Sequence, residues 1–154
     1  MPEFERENDR LNQKEIADFI LRRWPLRYDG YIFLSAMLYR LDGVLWKKEE
    51  NGLQKPKLFF ETKQRTVPFR HFENYTISSS KLIAARDLRN IAPAALFVRF
   101  SDQVIAAVDL AKHDGTFVVG GRPPRPGSPD IEPMAVFQWE QFKVIHDPRP
   151  DGGV

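Results

Sequence analysis

Asp42 and the triplet Glu61-Thr62-Lys63, nineteen residues further on, are the residues of this chain whose types and spacing could do chemistry. Two carboxylates and an ammonium on neighbouring strands can hold a divalent cation and a water against a phosphate. The run Lys57 to Lys63 reads as a strand whose period of two places Phe59, Glu61 and Lys63 on one face and Leu58, Phe60 and Thr62 on the other. Met37 to Trp46 also reads as a strand. The Gly- and Pro-containing stretch from Lys47 to Pro56 would return it as a hairpin and bring Asp42 beside Glu61. A solvated ion pair on a strand face is the other reading of such a triplet. Glu61-Thr62-Lys63 is the only acid-x-Lys sequence among 21 acidic residues, and it follows the most apolar part of its strand, where charge is costly without a partner.

These residues need elements to position them. Asn12 and Glu15 match a helix-capping box, with Leu11 and Ile16 placed as a hydrophobic staple, so a first helix is expected from Asn12 to the residue before Pro25. Ile16, Phe19, Ile20 and Trp24 share its apolar face. Glu15 lies at the edge of that face, where it serves as a cap or as a metal ligand. Tyr28-Asp29-Gly30 reads as a turn, which accounts for Asp29, the alternative acid to Asp42. Residues 31 to 46 are strand-like throughout and too long for one strand, so a break is expected near Ser35-Ala36 or at Gly43.

After the triplet, Gln64 to Glu73 interleaves Arg65, Arg70 and His71 with Phe69 and Phe72, a pattern that suits a nucleic-acid strand or a pair of core anchors. A second helix follows from Ser78 or Ser79 with Leu82, Ala85 and Leu88 buried. Lys81 falls in its first turn, where a cation opposes the helix dipole unless it faces a phosphate or an acidic cluster. Ala94 to Phe100 and Val104 to Leu110 read as a hairpin, and Thr116 to Val119 as a short strand. Gly120 to Pro133, with five prolines, reads as an irregular loop, and Met134 to Ile145 as helix or strand. One domain is expected over residues 12 to 146, with flexible segments at 1 to 11 and 147 to 154.

Composition excludes several classes of function. The 154 residues contain no cysteine, which removes disulfide scaffolds, thiol nucleophiles and cysteine-based zinc sites. The three histidines lack ligand spacing, which favours a hard cation on oxygen ligands. No stretch reads as a membrane span or a leader, so an intracellular, cytoplasmic protein with no membrane partner is expected. The net charge of +2 is unevenly spread: residues 47 to 89 hold ten Lys and Arg against five Asp and Glu, while residues 101 to 154 hold five against eight. A positive excess around a carboxylate pair suits a polyanionic substrate, although surface lysines also serve solubility.

The order of these elements and the motifs Asp42 and Glu61-Thr62-Lys63 resemble the PD-(D/E)XK nuclease superfamily, the restriction-endonuclease-like fold, over about residues 12 to 100; the run from Phe60 through Tyr75 to Lys81 is similar to small phage and prophage nucleases. The resemblance implies an α/β fold with an α-β-β-β-α-β core, a central mixed sheet flanked by helices, to which this chain adds C-terminal strands and a Pro-rich loop. It implies catalysis by Asp42, Glu61 and Lys63, and Mg2+, replaceable by Mn2+, on Asp42, Glu61, the Thr62 carbonyl and Glu15. Arg65, Arg70 and Lys81 would contact flanking phosphates. The implied activity is phosphodiester hydrolysis in nucleic acid, with DNA expected and the host cytoplasm as location if a phage encodes it. No proline precedes Asp42. A nucleic-acid-binding module that has lost catalysis and a virion-associated interaction protein are the competing readings. The oligomeric state is open, homodimers being common among proteins of this kind.

Overall fold

Alternate residues of the strands around Asp42 and Glu61 are apolar on both faces, the pattern of a sheet covered on two sides. The computed structural model describes residues 3–121 and 131–150. In chain order it contains helix α1 (Glu3–Arg23), strand β1 (Gly30–Phe33), the single-turn helix α2 (Ala36–Tyr39), β2 (Gly43–Lys48), β3 (Gln54–Gln64), β4 (Tyr75–Ser78), helix α3 (Ser79–Leu88), β5 (Ala94–Arg99), β6 (Ile105–Asp109), β7 (Phe117–Gly121), β8 (Ile131–Phe137) and β9 (Lys143–His146). A six-stranded sheet has the order β1-β2-β3-β5-β6-β9, and a smaller sheet the order β4-β8-β7. β3 and β5 run parallel, and the other neighbours in the large sheet antiparallel. The expected core is present as α1, β1, β2, β3, α3 and β5, with α2 and β4 inserted and β6 to β9 appended.

The two faces of the large sheet carry separate cores. On one, Ile16, Ala17 and Ile20 of α1 pack on Leu45, Phe60 and Phe97. On the other, Phe59, Leu96 and Val98 meet Ala84 and Ala85 of α3 and the aromatic side chains of Tyr75, Phe137 and Trp139. Phe59 and Phe60 thus separate to opposite faces, as the period of two requires. No helix among the described residues is long and apolar enough to cross a membrane.

The structure departs from the sequence reading at several places. α1 is continuous from Glu3, so residues 3 to 11 are helical and Asn12 and Glu15 lie inside the helix and not at a cap. Residues 31 to 46 break at Ser35-Ala36, one of the two places expected, but Ala36–Tyr39 is a helical turn and not strand. Arg40 closes that turn with φ 61° and donates its N–H to the Ala36 carbonyl, after which Leu41 is buried. The apolar Met37 and Leu38 of this turn remain exposed. Tyr75–Ser78 forms β4, and Ser78 then caps α3 by accepting from the Ser80 N–H at 3.2 Å.

The segment left open between helix and strand contains the end of β8, a short 3-10 turn (Trp139–Gln141) and β9. Parts of the expected irregular loop belong to strands: Gly120 and Gly121 to β7, and Ile131 to Pro133 to β8. Pro133 pairs with Val119 just beyond the last β4 pair, Ser78 with Met134, so its missing N–H interrupts no ladder on that side. The rest of that loop, residues 122–130, and the tail residues 151–154 lie outside the described residues.

Gly43 sits where β1, β2 and β3 meet, opposite Phe33 and Phe60. A Cβ there would come within 2.6 Å of the Ile32 carbonyl oxygen and overlap the Phe60 ring. Gly43→Ala is therefore expected to lower the free energy of unfolding by about 1–3 kcal/mol in urea titrations. Gly120→Ala, whose nearest neighbour would be the Met134 Cγ at 3.5 Å, is expected to change it by less than about 0.5 kcal/mol.

Candidate active site

Asp42 immediately precedes β2, and the pairing of Gly43 with Phe60 carries it to a position opposite Glu61. Its N–H donates to the Phe60 carbonyl at 3.0 Å, extending the ladder by one residue. Thr62 donates twice to Asp42 Oδ2, from N–H at 2.7 Å and from Oγ1 at 3.0 Å. From α1, Gln13 Nε2 donates to Asp42 Oδ1 at 3.2 Å. The carboxylate is thus held from a strand and a helix at once. In an extended strand the N–H and C=O of one residue point to the same side. The Thr62 carbonyl consequently faces the Asp42 edge of β3.

Glu61 is 2% exposed and lies beside Leu96 of β5, which is fully buried. Burial pushes its carboxyl up from the ordinary 4.5 to about 7; the Asp42 charge adds to the rise, and Lys81 and Lys63 oppose it. Lys81, from the first turn of α3, brings Nζ to 2.8 Å from Glu61 Oε2. The same ammonium donates a hydrogen bond to the Arg40 carbonyl at 2.6 Å. Glu61 Oε2 is left buried with a charge contact but no aligned donor.

The pairing of Glu61 with Asp42 is informative about cations. Two neighbouring carboxylates, the Asp42 charge raising the proton affinity of Glu61, with a backbone carbonyl alongside, make an all-oxygen donor set. Such a set fits a hard divalent ion of the magnesium type, which keeps several of its own waters. No group of three or more acidic or histidine side chains that could hold a metal occurs among the described residues. Glu15 in particular is turned away: its Oε2 accepts from Arg99 Nη1 at 2.6 Å. The helix residue that reaches Asp42 is Gln13, two positions earlier, whose Oε1 is also buried without a partner. Sequence reasoning missed it because the capping-box reading started the helix at Asn12 and directed attention to charged side chains.

The remaining candidates divide. Asp29 accepts from the Lys48 N–H at 2.7 Å at the far end of β2, away from Asp42, and is no substitute for it. Lys63 lies in the Glu61 row of β3 and its charge acts on Glu61. Lys81 is engaged by Glu61 and Arg40, and so faces the acidic cluster instead of lying open to a phosphate. Arg65 donates from Nε to Tyr75 Oη at 3.0 Å and lies over that ring. Arg70 is exposed, with φ 63°, above Phe69.

A family model described as "phage putative PDDEXK endonuclease" matches residues 1–145. The chain belongs to that family, and is a PD-(D/E)XK nuclease-like phage protein. No curated protein and no solved structure matches it.

The raised Glu61 carboxyl makes stability depend on pH in a defined direction. Between about pH 4.5 and 7 the folded chain holds this proton while the unfolded chain releases it, so metal-free stability is expected to fall as pH rises through that window. The full difference corresponds to about 3 kcal/mol. Urea unfolding in EDTA, compared between the parent and Glu61→Gln, isolates this contribution: the variant should lack most of the decline. Parallel pH profiles for the two proteins would contradict the assignment.

Proposed function

We propose that this chain is a metal-dependent phosphodiesterase that hydrolyses nucleic acid, DNA first among candidates, with Asp42, Glu61 and Lys63 as its catalytic residues. The observation that carries this reading is the buried Glu61 carboxyl held opposite Asp42 at the end of β3, its proton affinity raised by burial and by the Asp42 charge. Two carboxylates this close, one of them buried, are costly without positive charge beside them; Lys81 supplies one such charge at 2.8 Å, and a bound cation would supply more.

Mg2+, or Mn2+ in its place, would be held by Asp42, Glu61 and the Thr62 carbonyl. When bound it supplies Lewis-acid polarisation of the phosphate and a water of lowered pKa. Thr62 and Gln13 fix the orientation of Asp42, so that the carboxylate is in place before substrate arrives. Lys63, in the Glu61 row, orients the attacking water or stabilises the charge that develops on the phosphoryl oxygens. Lys81 balances Glu61 while remaining anchored on the Arg40 carbonyl. Arg65 and Arg70, on the segment after β3, supply attraction for flanking phosphates.

The Lys81 contact also favours a second reading, in which its ammonium takes the place of a cation and the chain binds nucleic acid without cutting it. Labelled linear, single-stranded and branched DNA and RNA, incubated with Mg2+ or with EDTA, distinguish the two. Metal-dependent cleavage is expected from the parent and none from Asp42→Asn or Glu61→Gln. Lys63→Ala is expected to lose at least about 100-fold in turnover while its metal affinity, read by calorimetry with Mn2+, holds or rises. Gln13→Ala, which loosens Asp42 without removing a ligand, should cost about 10- to 100-fold in activity or metal affinity. Full activity in Lys63→Ala would remove the triplet from the mechanism, and binding without cleavage by the parent would establish the second reading.

A further inference from the structure

The row of side chains that contains Glu61 and Lys63 does not stop at the end of β3. Arg65 N–H donates to the Arg99 carbonyl at 2.9 Å, which continues the pairing with β5, so the next residue on the same face is Arg65. Beyond it opens a cleft of about 690 Å3 between the segment after β3 and the smaller sheet, lined by Arg65, His71, Phe72, Tyr75, Thr76 and Trp139 among others. Its volume falls in the range of about 300–1,000 Å3 typical of sites for small organic ligands.

The chemistry of the walls is aromatic with a cationic end. Phe72 is 62% exposed although it is a large apolar side chain, and His71 packs edge-on against it with ring centroids 4.8 Å apart. Its companion Phe69 behaves as a core anchor, packed edge-on against Phe100 and Trp139. The two phenylalanines of this segment therefore do different jobs. The exposed one is held in position by its backbone, since Trp139 Nε1 donates to the Phe72 carbonyl at 2.8 Å. At the inner end, Tyr75 receives the Arg65 Nε hydrogen bond at 3.0 Å. Burial raises the Tyr75 phenol above its ordinary value, the Arg65 guanidinium opposes this, and the Glu61 charge adds to the rise.

We infer that this cleft seats the base of an unpaired nucleotide adjacent to the scissile phosphate, with the ring stacked on Phe72 and the neighbouring phosphate directed at Arg65. The assignment rests on the phosphodiesterase reading and names the substrate class it acts on: single-stranded nucleic acid, or a flap or frayed end. A base that is paired and stacked in a duplex cannot enter a wall-lined cleft without leaving its helix, which costs binding energy. Stacking on an aromatic ring tolerates any of the four bases, so selectivity is for unpaired strand and not for sequence.

The test uses the full-length parent in EDTA and a single-stranded pentadeoxynucleotide carrying 2-aminopurine at each position in turn. Quenching is expected at one position, and an abasic residue there should weaken binding by about tenfold. Phe72→Ala, whose side chain is exposed so that the fold does not depend on it, should lose both the quenching and the preference for a base over an abasic site. Annealing the complementary strand should abolish the signal. Equal affinity for the abasic and intact strands, no binding at all, or a Phe72→Ala variant indistinguishable from the parent, would each overturn the proposal. A companion assay with Mg2+ keeps the two readings separate. Cleavage that is indifferent to Phe72→Ala sinks the cleft and leaves the phosphodiesterase; base-dependent seating without cleavage of any substrate keeps the cleft and sinks the phosphodiesterase.

Discussion

Two hydrogen bonds from Thr62 to Asp42 Oδ2, at 2.7 and 3.0 Å, hold the start of β2 against the end of β3, and the rest of the site is arranged around that junction. The junction exists because Gly43, the residue after Asp42, lies against the Phe60 ring and the Ile32 carbonyl with no room for a side chain. With the strands this close, the antiparallel register carries Asp42 past the last β2 pair to a place opposite Glu61. A shift of one residue would turn Glu61 into the α1 core and Phe60 toward α3. The hydrophobic layers on both faces forbid that shift, since Phe59 and Phe60 are each buried in a different core. Core packing therefore sets the geometry of the polar centre.

The electrostatic consequence is a carboxylate in a place where ionisation is unfavourable. Glu61 has apolar neighbours, an acidic residue nearby and a lysine that also donates a hydrogen bond to the Arg40 carbonyl. This arrangement also explains the lysine in the first turn of α3. Its position opposes the helix dipole, and the attraction of Glu61 offsets that cost. Lys81 further ties α3 to the α2 turn, so the helix, the turn that precedes Asp42 and the end of β3 meet at a single ammonium.

The smaller sheet gives the chain a second surface next to this centre. β4 leads into α3 through Ser78, and β8 covers β4, so the aromatic cluster of Tyr75, Trp139 and Phe142 is built from segments far apart in sequence. It supports the segment after β3 from below through Phe69 and the Trp139 indole N–H. Arg65, at the boundary, belongs to both regions: its backbone extends the β3–β5 pairing and its side chain joins the aromatic cleft.

The sequence by itself determined the alternation of β3, the β5–β6 hairpin and the identity of the acid-x-Lys triplet, because each is written in neighbouring residues whose periodicity or turn chemistry leaves few choices. Tertiary structure alone decided what was not local. α2 is helical although its residues favour strand, and it leaves Met37 and Leu38 exposed between β1 and β2. Asn12 looked like a cap only while residues 3 to 11 were read as frayed; in the folded chain it is an interior, buried helix residue. Glu15 was the acidic residue within reach by composition, yet helix rotation gives it to Arg99 and presents the neutral Gln13 to Asp42. Lys81 was one more basic residue in a positive stretch until packing of α3 over the sheet placed it on Glu61. Hydrogen-bond direction and the burial of charge depend on which elements meet, and one-dimensional spacing carries that information only within a single element.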